Sequence, residues 1–372
     1  MLPHGFGDLL LQVFSAPADH SDQMVHLMSR LRRGANQWDP PARSFVAPDR
    51  NIDNGVLYNN GRGELHYYIP LASSFRTEGG WHGGAGQGVS ALKKVSTDHG
   101  ASWSAARIVH EYPAVQASSR DFKGVPSLVP FMSLVRRSDG ALVLPSDLRY
   151  DRSIVERTDN VFGTVMFVSQ DNGESWKELT RFGWNPSGYA RAGGAAGWIA
   201  GQHNPPVELP GGRWLSYGRL DAIDGRAPMS LSEDGGRTWK YRASPFPPIA
   251  ESQKQVMIRL AEGPILLVWF TDTVTRVREH RKLPEAGMEF VDTNGGKHRG
   301  YGMFATVSFD EGQTWPVRKL IPGDSREPWK ARHDGGVNMA VVQTPDGIIH
   351  LASSHAYHRF NLAWLKAPMP PP

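Results

Sequence analysis

The chain has 372 residues, of which 40% are hydrophobic and 21% charged; its formal net charge is +4 and it contains no cysteine. It is too apolar for a disordered chain, long enough to bury a core without staples, and unable to use disulfides, thiol nucleophiles or Cys-ligated metal sites. No apolar run of about 18 residues suggests a membrane-spanning helix, and no Lys/Arg block is dense enough to suggest a nucleic-acid groove.

Glycine (40), proline (28) and tryptophan (12) are numerous, which favours many short strands over long helices. In chain order, the start Met1-Leu2-Pro3-His4-Gly5 lacks the basic-then-apolar layout of a signal peptide. The compartment is left open between the cytoplasm and export from a longer start. A turn followed by an apolar strand first occurs at Gly7-Asp8-Leu9-Leu10-Leu11. It returns at 63–68, 139–144, 211–215, 262–267 and 346–351. Interleaved with it is a second motif, Ser-x-Asp-x-Gly-x-x-Trp. Its copies are Ser96, Asp98, Gly100, Trp103; Ser169, Asp171, Gly173, Trp176; Ser232, Asp234, Gly236, Trp239; and Ser308, Asp310, Gly312, Trp315.

These Asp boxes lie 63 to 76 residues apart, a spacing that suits propeller blades. The Asp accepts backbone N–H bonds inside a tight turn, the Gly supplies a positive φ, and the Trp is expected to lie flat between neighbouring sheets. Six strand–turn units predict an all-β, six-bladed β-propeller with four recognisable Asp boxes. The expected blades are 5–47, 53–110, 126–183, 200–243, 253–321 and 337–366, forming one domain over 1–366. A box between Ser29 and Trp38 looks decayed. The stretch from Thr275 to Gly296 reads as a long insertion between strands. The last blade shows three strands, the third being Phe360 to Leu365, and 367–372 reads as a disordered tail. A propeller of this kind normally closes with an N-terminal strand lent to that blade, and only about six residues precede the first clear one here.

The boxes join third to fourth strands and so occupy one face. The other face receives the loops richest in Arg, His, Trp and Gly: Asp19 to Asp22, Arg76 to His82, Asp147 to Asp151, Tyr189 to Asn204, Arg219 to Arg226, His280 to Gly300, His333, and His355 to His358. Several arginines around one mouth favour an anionic ligand. A guanidinium suits a carboxylate because its planar fork meets both oxygens. Trp81 offers a platform for a sugar face, with His82 beside it. Arg149, Arg226, His355 and His358 are further candidates for substrate contact. The His355-x-x-His358 spacing has no partner carboxylate, so neither metal nor cofactor is expected. The glycines at 193–197 lack a P-loop Lys or a dinucleotide pattern.

The four boxes together with the apolar strand pattern resemble the sialidase (neuraminidase) superfamily over roughly Gly7 to Lys366. The boxes identify the superfamily and not the reaction. The resemblance implies three arginines on the substrate carboxylate, an acid/base Asp, and a Tyr–Glu nucleophile pair. The stretch from Pro206 to Arg219 resembles the strand ending in the second arginine, which makes Arg219 a carboxylate ligand. The stretch from Arg299 to Gly312 resembles the segment of the third, which makes Arg299 its counterpart. Asp19 stands where the acid/base Asp would be. Three positions depart from the pattern: the first arginine has no counterpart, the family Glu falls on His203, and the family Tyr falls near Asn338.

The resulting expectation is an enzyme acting on an acidic oligosaccharide or glycoconjugate. Arg219 and Arg299 hold a sugar carboxylate, and His203 and Asp19, with His82, handle protons. Without the tyrosine, a hydrolase would use an activated water and invert the anomeric centre. Two alternatives stand beside it: a uronate lyase in which His203 or His82 takes the proton next to an Arg-neutralised carboxylate, and a non-catalytic glycan-binding relative. No nucleic-acid or membrane partner is expected, and the oligomeric state is open.

Overall fold

A computed structural model describes residues 1–4, 7–17, 23–48, 50–52, 54–72, 89–111, 134–149, 162–182, 205–219, 223–249, 253–271, 287–322, 330–331 and 338–371. The chain is almost entirely β and is a six-bladed β-propeller. It divides into two compact units, Met1–Trp184 and Asn185–Pro372, each carrying three blades.

In the first unit, blade one pairs β1 (Leu2–His4), β2 (Asp8–Ser15), β3 (Val25–Leu31) and β4 (Ala42–Val46) in sequence order. Blade two pairs β5 (Val56–Asn59), β6 (Leu65–Ala72), β7 (Val89–Ser96) and β8 (Arg107–His110). Blade three pairs β9 (Val135–Arg136), β10 (Leu142–Arg149), β11 (Phe162–Ser169) and β12 (Lys177–Phe182). In the second unit, blade four holds β13 (Pro206–Leu209), β14 (Arg213–Tyr217), β15 (Pro228–Ser232) and β16 (Lys240–Ala243). Blade five holds β17 (Val256–Arg259), β18 (Ile265–Phe270), β19 (Met288–Val291), β20 (Lys297–Ser308), β21 (Val317–Leu320) and β22 (Lys330–Ala331). Blade six shows β23 (Met339–Gln343), β24 (Ile349–Ser353) and β25 (Tyr357–Phe360), followed by the short helix α1 (Leu362–Lys366).

The turn–strand repeat opens the second strand of each blade. In β18 every residue of Ile-Leu-Leu-Val-Trp-Phe is buried, as expected for a strand covered on both faces. Leu65 pairs with Ser96, Leu142 with Ser169, Trp214 with Ser232 and Ile265 with Ser308. The repeat turn and the box of a blade therefore share one end of its sheet, and the link between second and third strands lies at the other.

The four boxes are built alike. The Ser hydroxyl donates to the Asp carboxylate and accepts the Gly N–H, at 2.7–2.9 Å for the latter. The carboxylate also accepts the N–H and hydroxyl of Ser102, Ser175, Thr238 or Thr314. That hydroxyl, one residue before the Trp, is a fifth element of the motif. It holds Asp98, Asp234 and Asp310 below the ordinary carboxylate range, with the backbone N–H bonds second. Gly173 needs its glycine twice: φ is +79°, and a Cβ would stand 1.8 Å from the Tyr68 hydroxyl of blade two. The Trp rings pack edge-on rather than flat, because a T-shaped contact suits the ring quadrupole. Trp176 meets Tyr68 at 83° and Trp315 meets Tyr217 at 76°.

Several expectations change. The residues before Gly7 form β1, which pairs with β2 and completes blade one. The decayed box is a wider turn: Ser29 donates to the Asp39 carbonyl at 2.5 Å, while the Asp39 carboxylate pairs with Arg32 at 3.1 Å. The insertion between 275 and 296 contains β19, which forms a hairpin with the start of β20. The expected strand through Leu365 ends at Phe360, because the Asn361 side chain accepts Trp364 N–H at 2.8 Å and starts α1. The expected loose tail is bonded as far as Met369, whose carbonyl accepts Thr293 N–H at 2.8 Å.

Candidate functional site

The region best defined at the end away from the boxes is the junction of blades four and five. β14 carries Trp214, Leu215 and Tyr217 into the core, all at most 1% exposed. Trp214 pairs with Ser232 at the box end. Arg219 follows β14 at the opposite end. It is only 6% exposed, and its Nη1 donates to the Gln253 carbonyl at 2.8 Å, on the segment leading into β17. Gln255 Nε2 reciprocates, donating to the Tyr217 carbonyl at 2.9 Å. Tyr217 anchors this corner. Its hydroxyl accepts Trp315 Nε1 at 3.1 Å, and its ring meets Phe246 and Trp269 edge-on. The arginine thus rises from a rigid aromatic base, with one face of its guanidinium fixed by a carbonyl. A charge held in a desolvated place is costly unless hydrogen-bonded, and it acts more strongly on an anion there than in water.

Arg226 shares this end of blade four. The loop between β14 and β15 returns so that Gly218 N–H donates to the Pro228 carbonyl at 3.2 Å. Arg219 and Arg226 therefore sit on adjacent segments, and Arg226 is exposed. Arg299 is placed differently. It lies on the β19–β20 hairpin, beyond the last β18–β20 pair of Phe270 with Met303, across from Glu289 and exposed. Its neighbour Gly300 faces Phe290 and Leu320, so alternation turns Arg299 outward. Arg149 closes β10 at the end away from the Asp171 box. His355 is exposed in the β24–β25 turn, its N–H on Ser353 Oγ at 3.3 Å. His358 pairs with Leu351, on the same side of the sheet as Ile349 and Phe360. Asp19, Trp81, His82 and His203 lie outside the described residues, as do His333 and the whole Tyr189–Asn204 loop.

Some polar groups were not expected from the sequence. Gln253 and Gln255 contact the Arg219 corner only because β17 packs beside β14, and no local motif marks them. Arg318, on β21, reads in sequence as an ordinary strand residue after a box. In blade six, His350 is 7% exposed and bonds Tyr357 Oη through Nδ1 at 2.6 Å and Thr344 Oγ1 through Nε2 at 3.1 Å. Thr344 spends its own proton on Asp346 at 2.5 Å. His350 Nε2–H must then donate to Thr344, and Nδ1 accepts from Tyr357. Burial lowers the His350 pKa and raises that of Tyr357 to about 12. Asn338, near which the resemblance puts the family tyrosine, donates its backbone N–H to Ser354 Oγ at 2.9 Å. Among the described residues there is no cluster of metal-ligating side chains, and no helix is long and apolar enough to cross a membrane.

The fold is shared with solved structures. A protein of unknown function from Dyadobacter fermentans superposes with a TM-score of 0.64 at 14% identity, over 95% of this chain and 89% of that one. The intramolecular trans-sialidase of Ruminococcus gnavus, solved with oseltamivir carboxylate, gives 0.59 at 13% identity, over 97% and 93%. The leech intramolecular trans-sialidase, solved with 2,7-anhydro-Neu5Ac, gives 0.58 at 12% identity, over 96% and 67%. No curated protein sequence matches. The model of the BNR repeat-like domain matches residues 7–282, about three quarters of the chain. With its four Asp boxes and six blades, the chain belongs to the BNR repeat-like domain family.

Proposed function

We propose that the protein is a glycoside hydrolase of the sialidase type, releasing a terminal carboxylated sugar from glycans. The observation that supports this most is Arg219, a buried guanidinium fixed by the Gln253 carbonyl at the end of blade four away from its box. In this reading Arg219 takes the sugar carboxylate and Arg299 approaches from the blade-five hairpin. His203 accepts a proton from water as its oxygen attacks the anomeric carbon. Asp19 gives its proton to the departing glycosidic oxygen. Asn338 at the tyrosine position favours this direct, inverting route over a covalent intermediate. The same observation keeps a second reading in view, a uronate lyase in which Arg219 neutralises the carboxylate and His203 removes the adjacent C–H proton.

The test is a screen of sialosides and uronate-ended oligosaccharides, read by reducing sugar and by ultraviolet absorbance of an unsaturated product. Hydrolysis with inversion, seen as the product anomer by NMR, is expected. Arg219→Gln should lower kcat/KM on the carboxylated substrate by about tenfold or more, the value of a charge-assisted bond. Retention through a covalent adduct would rule out the inverting route, and new absorbance would select the lyase. If the wild type turns over nothing and His203→Ala binds acidic glycans equally well, both catalytic readings fail.

A further inference from the structure

The end of β14 that leads to Arg219 runs between two prolines. On one side Pro206 pairs with Ser216, and the same register sets Pro205 opposite Tyr217. On the other side Met229 pairs with Tyr217, which sets Pro228 opposite Gly218. Gly218 donates its N–H to the Pro228 carbonyl at 3.2 Å. Successive residues of a strand turn their backbone groups to opposite neighbours, so the Tyr217 carbonyl faces β13. Its ladder donor there would be the N–H of residue 205, and a proline has none.

A buried carbonyl without a donor is costly. Gln255 fills the gap from the next blade. It is completely buried on the segment entering β17, and its Nε2 donates to the Tyr217 carbonyl at 2.9 Å. A second bond runs the other way, two residues on from Tyr217 and two back from Gln255: Arg219 Nη1 donates to the Gln253 carbonyl at 2.8 Å. Gly218 lies between Tyr217 and Arg219, and Pro228 has no N–H to offer its carbonyl. The backbone there is free to turn as only glycine can. The direction of Arg219 is therefore set by residues 253 and 255 of the neighbouring blade more than by the sheet that carries it.

We propose that Gln255 is a positioning residue for Arg219. By supplying the donor that Pro205 lacks, it holds the end of β14 against blade five and fixes the aim of the guanidinium. Selectivity for an acidic sugar then depends on Gln255, acting through Arg219. The inference rests on the reading of Arg219 as the carboxylate anchor.

The test compares the full chain with three variants. Gln255→Leu removes the donor. Gln255→Asn keeps an amide and shortens its reach. The double variant, Pro205→Ala with Gln255→Leu, returns a backbone N–H opposite Tyr217. Glu174→Gln, a change to an ion pair of the first unit, controls for stability, and melting curves check that each variant folds. Calorimetry measures affinity for N-acetylneuraminic acid, galacturonic acid and their methyl esters. NMR follows the exchange of the Arg219 guanidinium protons with water, assigned by their loss in Arg219→Lys.

The wild type should bind one of the acids about tenfold or more tighter than its ester. Gln255→Leu should lose most of that preference, keep its affinity for the ester, and exchange the Arg219 protons faster. Gln255→Asn should do the same, and it carries the test if the leucine variant does not fold. The double variant should recover both properties, which a general loosening of the fold would not allow. Unchanged Arg219 exchange in the single variants, or no recovery in the double variant, would overturn the positioning role. Two patterns separate the claims. If the wild type binds acid and ester alike while Gln255→Leu still frees the Arg219 protons, the carboxylate anchor fails and the positioning role stands. If Arg219→Gln abolishes the preference and Gln255→Leu does not, the anchor stands and the positioning role is rejected.

Discussion

Lys93 of blade two donates to Glu174 in the box turn of blade three at 2.7 Å, and its side chain is completely buried while that of Glu174 is 45% exposed. Lys93 also donates to the Asn172 carbonyl at 3.0 Å, and Arg107 pairs with the other Glu174 oxygen. The box turn of one blade is thereby tied to the third and fourth strands of the blade before it. Burial lowers the Lys93 pKa, and Glu174 opposes that shift.

The asymmetry in burial predicts an order of variants. Glu174→Gln leaves a buried ammonium without its anion and should cost about 1–3 kcal/mol. Lys93→Met removes the charge and keeps the packing, so it should cost less. Calorimetric melting of both variants checks this; a Lys93→Met protein less stable than Glu174→Gln would refute it.

Gly173 and Gly235 share a left-handed backbone, at +79° and +78°, but differ in surroundings: nothing lies within 4 Å of a Cβ at Gly235. Gly235→Ala should show only the backbone cost, about 1 kcal/mol, whereas Gly173→Ala adds a collision with Tyr68. Tyr68→Phe removes the colliding oxygen and should restore part of the loss in the double variant. Additive costs would show that the contact does not matter.

The blades were legible because the boxes and repeat turns depend on residues only a few positions apart. The hydroxyl of Ser102, Ser175, Thr238 and Thr314 leaves no single-letter signature, because either of two residue types serves. The wide turn ending at Asp39 escaped because the bond there runs to a carbonyl, which any residue supplies. α1 reads as strand in the sequence because Trp364 and Leu365 are apolar in either conformation, and only the Asn361 cap decides. At the candidate site, Arg219 is legible through the resemblance of the stretch from Pro206 to Arg219 to a family strand that ends in an arginine. Arg318, Gln253 and Gln255 are not, since their place depends on one blade packing against the next. The hairpin register, rather than any local motif, turns Arg299 outward.

Stability should fall with acid in two steps. His350 and His66 are buried, and burial lowers both pKa values below the ordinary 6.5, with Glu64 opposing the shift at His66. Folding therefore favours the neutral imidazoles. Their contribution is complete above pH 6.5 and is lost as pH falls toward their folded values, by up to about 1.4 kcal/mol per pH unit for each. The box carboxylates are lowered too, but there folding favours the charged form: Asp98, Asp234 and Asp310 stay ionised in the fold, so their contribution is present above 3.8 and lost below it. Urea midpoints measured from pH 8 to pH 3 should be flat, then decline below 6.5, then drop again below 3.8. His350→Asn should flatten the first decline; a midpoint that rises between pH 7 and 5.5 would contradict the assignment.

Lys319 joins the C-terminus to blade five. It is 6% exposed, lies 4.6 Å from the centre of the Trp364 ring and donates to the Ala367 carbonyl at 2.7 Å. Two residues on, the Met369 carbonyl accepts Thr293 N–H in the turn of the β19–β20 hairpin. That turn is closed by Asp292, whose carboxylate binds His298 Nε2 at 2.7 Å and the N–H of Asn294 and Gly296. The last residues thus act as a strap over the hairpin that carries Arg299. Lys319→Met should destabilise the protein by about 1–3 kcal/mol, from the lost carbonyl bonds and cation–π contact. Truncation after Pro368 keeps both carbonyl acceptors of Lys319 and should instead free the hairpin with little global loss, because Met369 is the one described residue removed that packs against the core. Hydrogen exchange separates the two effects. The Thr293 amide should exchange faster in both variants, while amides of β18 should respond only to Lys319→Met. Unchanged protection at Thr293 after truncation would mean that the hairpin is held by its own core contacts, Phe290 against Phe304 and Leu320, and that the strap has no role in positioning it.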